Sequence, residues 1–131
     1  MAANFNKNQV VDASFVLCFL MPDEYDLEVD LFFNQYKSGL INIISTTFLS
    51  FEVINGLKTA LLRKRIDKNY ALSRIREFLD YEIEVQIIDF TKTFLLASQY
   101  NLTIYDASYL HLAKLNRVPL LTLDEKLKRL T

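Results

Sequence analysis

Four short apolar runs punctuate the sequence, and segments of helical period separate them. Gln9-Val10-Val11 reads as a first strand, Ile41-Asn42-Ile43-Ile44 as a second, Val85-Gln86-Ile87-Ile88 as a third and Pro119-Leu120-Leu121-Thr122 as a fourth. Between them, helices are predicted over Ser14 to Leu20, Asp26 to Lys37, Thr47 to Arg65, Asp67 to Leu79, Phe90 to Tyr100 and Tyr105 to Leu115. A short helix from Asp124 to Leu130 follows the last strand. The Thr47–Arg65 segment has the clearest apolar stripe, in Leu49, Val53, Leu57, Ala60 and Leu61. Pro22 stops the first helix, and Gly39 is placed to end the second. Strands that alternate with helices pair in parallel, because the crossover between parallel neighbours is usually a helix. Their near-continuous apolar character says that both sheet faces are covered. The expected fold is a three-layer α/β/α sandwich around a short parallel sheet.

Composition agrees. A chain of 131 residues suits a single domain spanning residues 1–131, with the polar stretch Met1 to Asn8 loosely held. Hydrophobic residues make up 51%, enough apolar surface to offset the entropy of ordering and so to exclude disorder. With only two glycines and two prolines, the chain lacks the tight turns of a hairpin-rich β protein. The net charge of −1 argues against a broad basic face for nucleic acid, although local basic clusters remain. One cysteine, Cys18, excludes an internal disulfide and a cysteine-based zinc site, and it reads as a buried thiol. One histidine, His111, excludes a histidine-rich metal site and reads as structural or surface. No apolar run reaches membrane-spanning length and no signal peptide is visible, so a cytoplasmic location is expected.

In parallel α/β sheets the site lies beyond the carboxyl ends of the strands. Asp12 follows Val10-Val11 there, and Asp124 follows Leu120-Leu121-Thr122-Leu123. Asp106 opens a helix after Thr103-Ile104-Tyr105, and Glu52 lies in the helix after the second strand. Each has an ordinary explanation. Asp12 and Asp124 suit helix N-caps. Thr103-Ile104-Tyr105-Asp106 resembles a capping box. Glu52 shares a polar helix stripe with Asn55, Thr59 and Arg63. Together they say more. Two carboxylates ~4 Å apart repel by about 4 kcal/mol at an effective dielectric of 20, so a cluster of them calls for protons or cations. All-oxygen ligands select a hard ion, Mg²⁺ or Mn²⁺, over zinc.

These residues fall in four segments: Val11-Asp12-Ala13-Ser14, Phe51-Glu52-Val53-Ile54-Asn55-Gly56-Leu57, Tyr105-Asp106-Ala107-Ser108-Tyr109-Leu110 and Leu121-Thr122-Leu123-Asp124-Glu125-Lys126-Leu127. In order and spacing, across nearly the whole chain, they resemble the PIN-domain ribonucleases, and among them the VapC toxins of type II toxin–antitoxin pairs. The resemblance implies hydrolysis of RNA phosphodiesters with one or two Mg²⁺ or Mn²⁺ ions, leaving 5′-phosphate and 3′-hydroxyl ends. It implies that Asp12, Glu52 and Asp106 are the core acidic positions and Asp124 the more variable fourth. Ser14 and Thr122 then match hydroxyl positions that order the site, and Asn55 matches a polar position supporting Glu52. It further implies a homodimer, and an antitoxin that blocks the groove, often with an arginine. Relatives usually continue into a further edge strand, whereas this sequence stops at Thr131, which leaves the sheet edge either shortened or completed by a partner.

Arg63, Lys64 and Arg65 head the densest basic region, either a solvated helix–loop–helix face or a guide for the RNA backbone. The Phe and Tyr content lacks an RNP pattern and reads mostly as core, with Phe32, Phe33 and Tyr36 as an alternative partner surface. Two other readings compete with this one. A catalytically silent PIN-like module that only binds a partner would have no need of clustered carboxylates. A phospho-acceptor receiver domain wants an acidic pair after strand one, which is missing here.

Overall fold

The computed structural model describes residues 7–131. The elements run β1 (Asn8–Val11), α1 (Ala13–Leu20), α2 (Leu27–Lys37), β2 (Asn42–Ser45), α3 (Leu49–Leu62), α4 (Lys68–Asp80), β3 (Glu84–Val85), α5 (Phe90–Tyr100), α6 (Ile104–Asn116), β4 (Leu120–Leu121) and α7 (Glu125–Leu130). The sheet order is β3-β2-β1-β4, and every pairing is parallel. Helices flank the sheet in two groups: α1 to α4 pack on one another, and α5 packs on α6, which lies against β1. The expected α/β/α class with a short parallel sheet is what the chain forms.

The central strand explains the order. Val10 and Val11 of β1 are wholly buried, as are Ile43 and Ile44 of β2. Two neighbours with covered faces form the middle of the sheet. From β1 the chain steps outward to β2 and β3, then returns to place β4 on the other side of β1. That reversal between β1 and β4 is the switch point where a parallel sheet leaves a crevice at its carboxyl end.

Helix boundaries follow their caps. Asp12, Asp26, Asp67, Asp89 and Asp124 each accept a backbone N–H from the first turn of the helix they precede. Pro22 follows the end of α1 as expected, and Gly39 takes φ +82° just beyond α2. Gly39→Ala should therefore lower stability by about 1 kcal/mol, the cost of forcing a Cβ into left-handed backbone, read as a lower denaturant midpoint.

Several sequence expectations need correction. The third strand was expected over Val85–Ile88, but only Glu84 and Val85 pair, with Ile44 and Ser45. Gln86 N–H still reaches the Ser45 carbonyl, after which the chain departs and leaves Ile87 87% exposed. The Thr47–Arg65 helix is shorter at both ends. Thr46 Oγ1 accepts Phe48 N–H ahead of it, and Lys64 turns to φ +59° behind it. Phe33 is wholly buried, and Phe32 and Tyr36 pack partly buried against the core, in a ring cluster with Phe15, Phe19 and Tyr81. Those three aromatics are core rather than a free surface. Residues 1–6 of the stretch expected to be loosely held lie outside the described residues. Asn8 already belongs to β1, and its Oδ1 accepts from Asn42 Nδ2 at 3.0 Å. Cys18 is buried, as expected.

Candidate active site

Asp12 leaves β1 at the switch point and caps α1, accepting Phe15 N–H at 3.1 Å. The residue is only 4% exposed. Ser14 Oγ donates to Oδ1 at 2.7 Å, and Thr122 Oγ1 donates a short bond to Oδ2. Thr122 arrives from the end of β4, so the two strands beside the crevice are joined by one carboxylate. The two hydroxyls are themselves held. Ser14 Oγ accepts Leu123 N–H at 3.0 Å, and Thr122 Oγ1 accepts Asp124 N–H at 3.0 Å. Ser14 and Thr122 thus stand where the sequence places them, against Asp12.

Three further carboxylates reach the same place from three helices. Glu52 comes from the first turn of α3, Asp106 from the first turn of α6, and Asp124 caps α7 through Leu127 N–H at 2.9 Å. Asp12, Glu52, Asp106 and Asp124 line one cavity of about 130 Å³, with Ser14 and Tyr109 also on its wall. The cap readings and the site reading are both true of Asp12 and Asp124. At Asp106, the hydroxyl of Thr103 accepts the backbone N–H and so caps α6.

Tyr109 is the residue that the sequence reading missed. It lies one turn after Asp106, is 1% exposed, and donates its hydroxyl to Glu52 Oε1 at 2.5 Å. Its only sequence signal is its i+3 spacing from Asp106 on the same helix face. Asn55 stands one turn after Glu52 and lines a groove next to the acidic cavity rather than the cavity itself. Arg63, Lys64 and Arg65 are not brought to the cavity. They follow α3, whose first turn holds Glu52, so roughly 16 Å of helix separates Arg63 from Glu52. Arg65 is engaged there, donating from Nε and Nη2 to Asp23 at 2.9 and 2.8 Å and from Nη2 to Glu24 at 3.0 Å.

The electrostatics follow from crowding. Burial pushes the Asp12 carboxyl above its ordinary value. The hydrogen bonds from Thr122, Ser14 and Phe15 pull the other way, and nearby Asp124 adds to the rise. Glu52 is raised by burial and by Asp106 and Asp12, against the pull of the Tyr109 hydroxyl. Asp106 is raised by burial and by Asp124 and Asp12. The site therefore favours bound protons or a cation.

The sequence matches the PIN-domain family over residues 10–131. The chain belongs to that family. Comparison with curated proteins finds no match. Among solved structures it is similar to the crystal structure of PAE2754 from Pyrobaculum aerophilum. The TM-score is 0.72 and the identity 20%, over 96% of this chain and 85% of that one. At that identity the likeness establishes the fold. PIN domains are generally nucleases and typically use divalent ions. The donor set here suits one, being all oxygen and short of positive charge. As the side chains stand, no three His, Cys, Asp or Glu among the described residues form a ready-made ion-binding group. Glu52 and Asp106 are half-buried and Asp124 is exposed, so an ion held beside Asp12 would keep waters among its ligands. No helix among the described residues is long and apolar enough to cross a membrane.

Proposed function

We propose that this PIN domain is a cytoplasmic divalent-metal-dependent endoribonuclease, the toxin of a toxin–antitoxin pair. The observation that carries the reading is the convergence of Asp12, Glu52, Asp106 and Asp124 on one small cavity at the switch point of the sheet. A binding module has no use for this repulsion, whereas a phosphodiesterase does.

Asp12, Asp106, Glu52 and Asp124 are the residues to hold Mg²⁺ or Mn²⁺, and Asp12 and Asp106 the principal ligands. When bound, such an ion lowers the pKa of water and offsets charge on the phosphate and on the leaving oxygen. The chain's own residues do the positioning. Ser14, Thr122 and the Phe15 amide fix both oxygens of Asp12. Tyr109 fixes Glu52, and the α7 cap fixes one oxygen of Asp124. This order before substrate arrives is what lowers a reaction barrier. The same reading assigns a homodimer, and an antitoxin that presents a cationic side chain to the acidic cavity.

The test is cleavage of a mixed RNA pool by the purified chain with Mn²⁺, with Mg²⁺ and with EDTA. Cleavage is expected with either ion and none with EDTA. Cleavage that survives EDTA would refute the metal. Silence under every condition would assign a silent, partner-binding PIN domain instead.

A further inference from the structure

Two hollows adjoin the acidic cavity. One, of about 380 Å³, is lined by Thr47, Phe48, Phe51, Glu52 and Tyr105, and the other, of about 400 Å³, by Phe51, Glu52, Asn55 and Tyr105. Sharing three residues, they form one groove, with each hollow in the range of ordinary small-ligand clefts, roughly 300–1,000 Å³. Glu52 is the common wall between this groove and the four carboxylates. A chain lying across the acidic site therefore continues into it.

The lining specifies what fits. Phe51 is 80% exposed and Tyr105 is 51% exposed, both beside the site and in the first turns of α3 and α6. The Tyr105 ring is braced edge-on by Phe48, with centroids 5.0 Å apart and planes at 88°, so its orientation is set in advance. Among the described residues no Lys or Arg lines either hollow, so the groove is not built for a phosphate. It offers flat apolar faces together with the Thr47 hydroxyl and the Asn55 amide, each a donor and an acceptor. That combination matches a nucleobase, whose faces stack on aromatic rings and whose edge carries hydrogen-bonding groups.

We propose that this groove is a nucleobase subsite, in which Phe51 and Tyr105 stack on the base flanking the scissile phosphate while Thr47 and Asn55 read its edge. The proposal rests on the nuclease reading and narrows its substrate. Only an unstacked base can enter, so the subsite selects for a base that is free of helical stacking beside the cut.

The test uses the full chain with Mn²⁺ on short randomised single-stranded RNA. It compares the wild type with Phe51→Ala, Tyr105→Ala and Asn55→Ala, and with the ring-preserving Phe51→Tyr and Tyr105→Phe. Each alanine at an aromatic position should raise KM roughly 5- to 100-fold, outweighing any fall in kcat, as expected when a stacking platform is lost. The ring-preserving variants should recover most of that loss. Sequencing of the cut ends should show a base preference in the wild type that Asn55→Ala flattens. A wild type that cleaves, with KM and cut-site preference unchanged in all three alanine variants, overturns the subsite and leaves the nuclease intact. A wild type that cleaves nothing overturns both. If light scattering shows that Phe51→Ala turns a dimer into a monomer while KM holds, the groove belongs to a second copy and the subsite is wrong.

Discussion

Asp12→Asn is expected to remove metal-dependent RNA cleavage by roughly 10³-fold or more, well beyond the 10- to 100-fold typical of losing an outer partner of a metal ligand. The same change is expected to raise the melting temperature of the metal-free protein near neutral pH. The substitution preserves the local frame. Asn caps helices as well as Asp does. Its carbonyl oxygen can keep the bonds from Ser14 Oγ and Phe15 N–H, and its amide can donate to Thr122 Oγ1. What disappears is a buried charge facing other carboxylates. The pH dependence has a definite sign. The folded-state pKa of Asp12 lies above its ordinary value of 3.8, as do those of Glu52 and Asp106 above theirs, so the folded state holds these protons more tightly than the unfolded chain. The stability they contribute is complete below the ordinary carboxyl range and is lost as pH rises through the raised values. The metal-free wild type should therefore gain stability from these groups as pH falls from neutral toward the ordinary carboxyl range, and Asp12→Asn should gain less. Mn²⁺ should stabilise the wild type by mass action and the variant far less. Thermal melts with and without Mn²⁺ across that range check all of this. A variant that melts lower than the metal-free wild type at neutral pH would mean that Asp12 is chiefly a structural cap.

The parts of this molecule that the sequence made legible are those where local pattern and global fold agree. The runs around Val10, Ile43 and Leu120 pair as strands because each is short, apolar and followed by a helix start. Asp12 and Asp124 were legible because strand ends and helix caps are marked by local pattern, whereas Glu52, inside α3, was marked only by the family resemblance. Asp12 and Asp124 stand on either side of the switch point. Where the reading failed, the missing information was tertiary. Val85-Gln86-Ile87-Ile88 looks as apolar as the inner strands, but it runs along the sheet edge, and only Glu84 and Val85 pair in register with β2. Nothing local tells an edge from a centre. The aromatics show the same limit. Phe33, a candidate partner surface, is fully buried, while Phe51 and Tyr105, members of an aromatic set that reads mostly as core, stand in solvent beside the site. Composition counts aromatic rings, but only the packing of α1 on α3 and of α5 on α6 decides which face of each helix is covered. Tyr109 was hidden for a related reason. A tyrosine in an apolar helix stripe looks like filler until its hydroxyl is found on a glutamate from another helix, distant in sequence.

That hydroxyl is the basis of the second large effect. Tyr109→Phe keeps the ring in its buried place and removes only the oxygen, so the fold should survive with a loss of about 1.5–3 kcal/mol, the usual range for a hydrogen bond to a charged group. The effect on the site should be larger. Glu52 loses the interaction that holds its carboxylate in one orientation and offsets the rise caused by burial and by Asp106 and Asp12. Its proton should then compete harder with a cation, and the Mn²⁺ concentration giving half-maximal cleavage should rise roughly 10- to 100-fold. Saturating Mn²⁺ should recover much of the rate, because the ion itself can reimpose the orientation. Glu52→Gln offers a cross-check, since the amide oxygen can still accept the Tyr109 hydroxyl but carries no charge. The two changes meet at one hydrogen bond, so the double variant should lose less than the sum of the singles. Calorimetric titration of Mn²⁺ into each metal-free variant measures the same coupling without relying on turnover. Additive losses, or a Tyr109→Phe protein that binds Mn²⁺ like the wild type, would show that Tyr109 merely fills space beside Glu52.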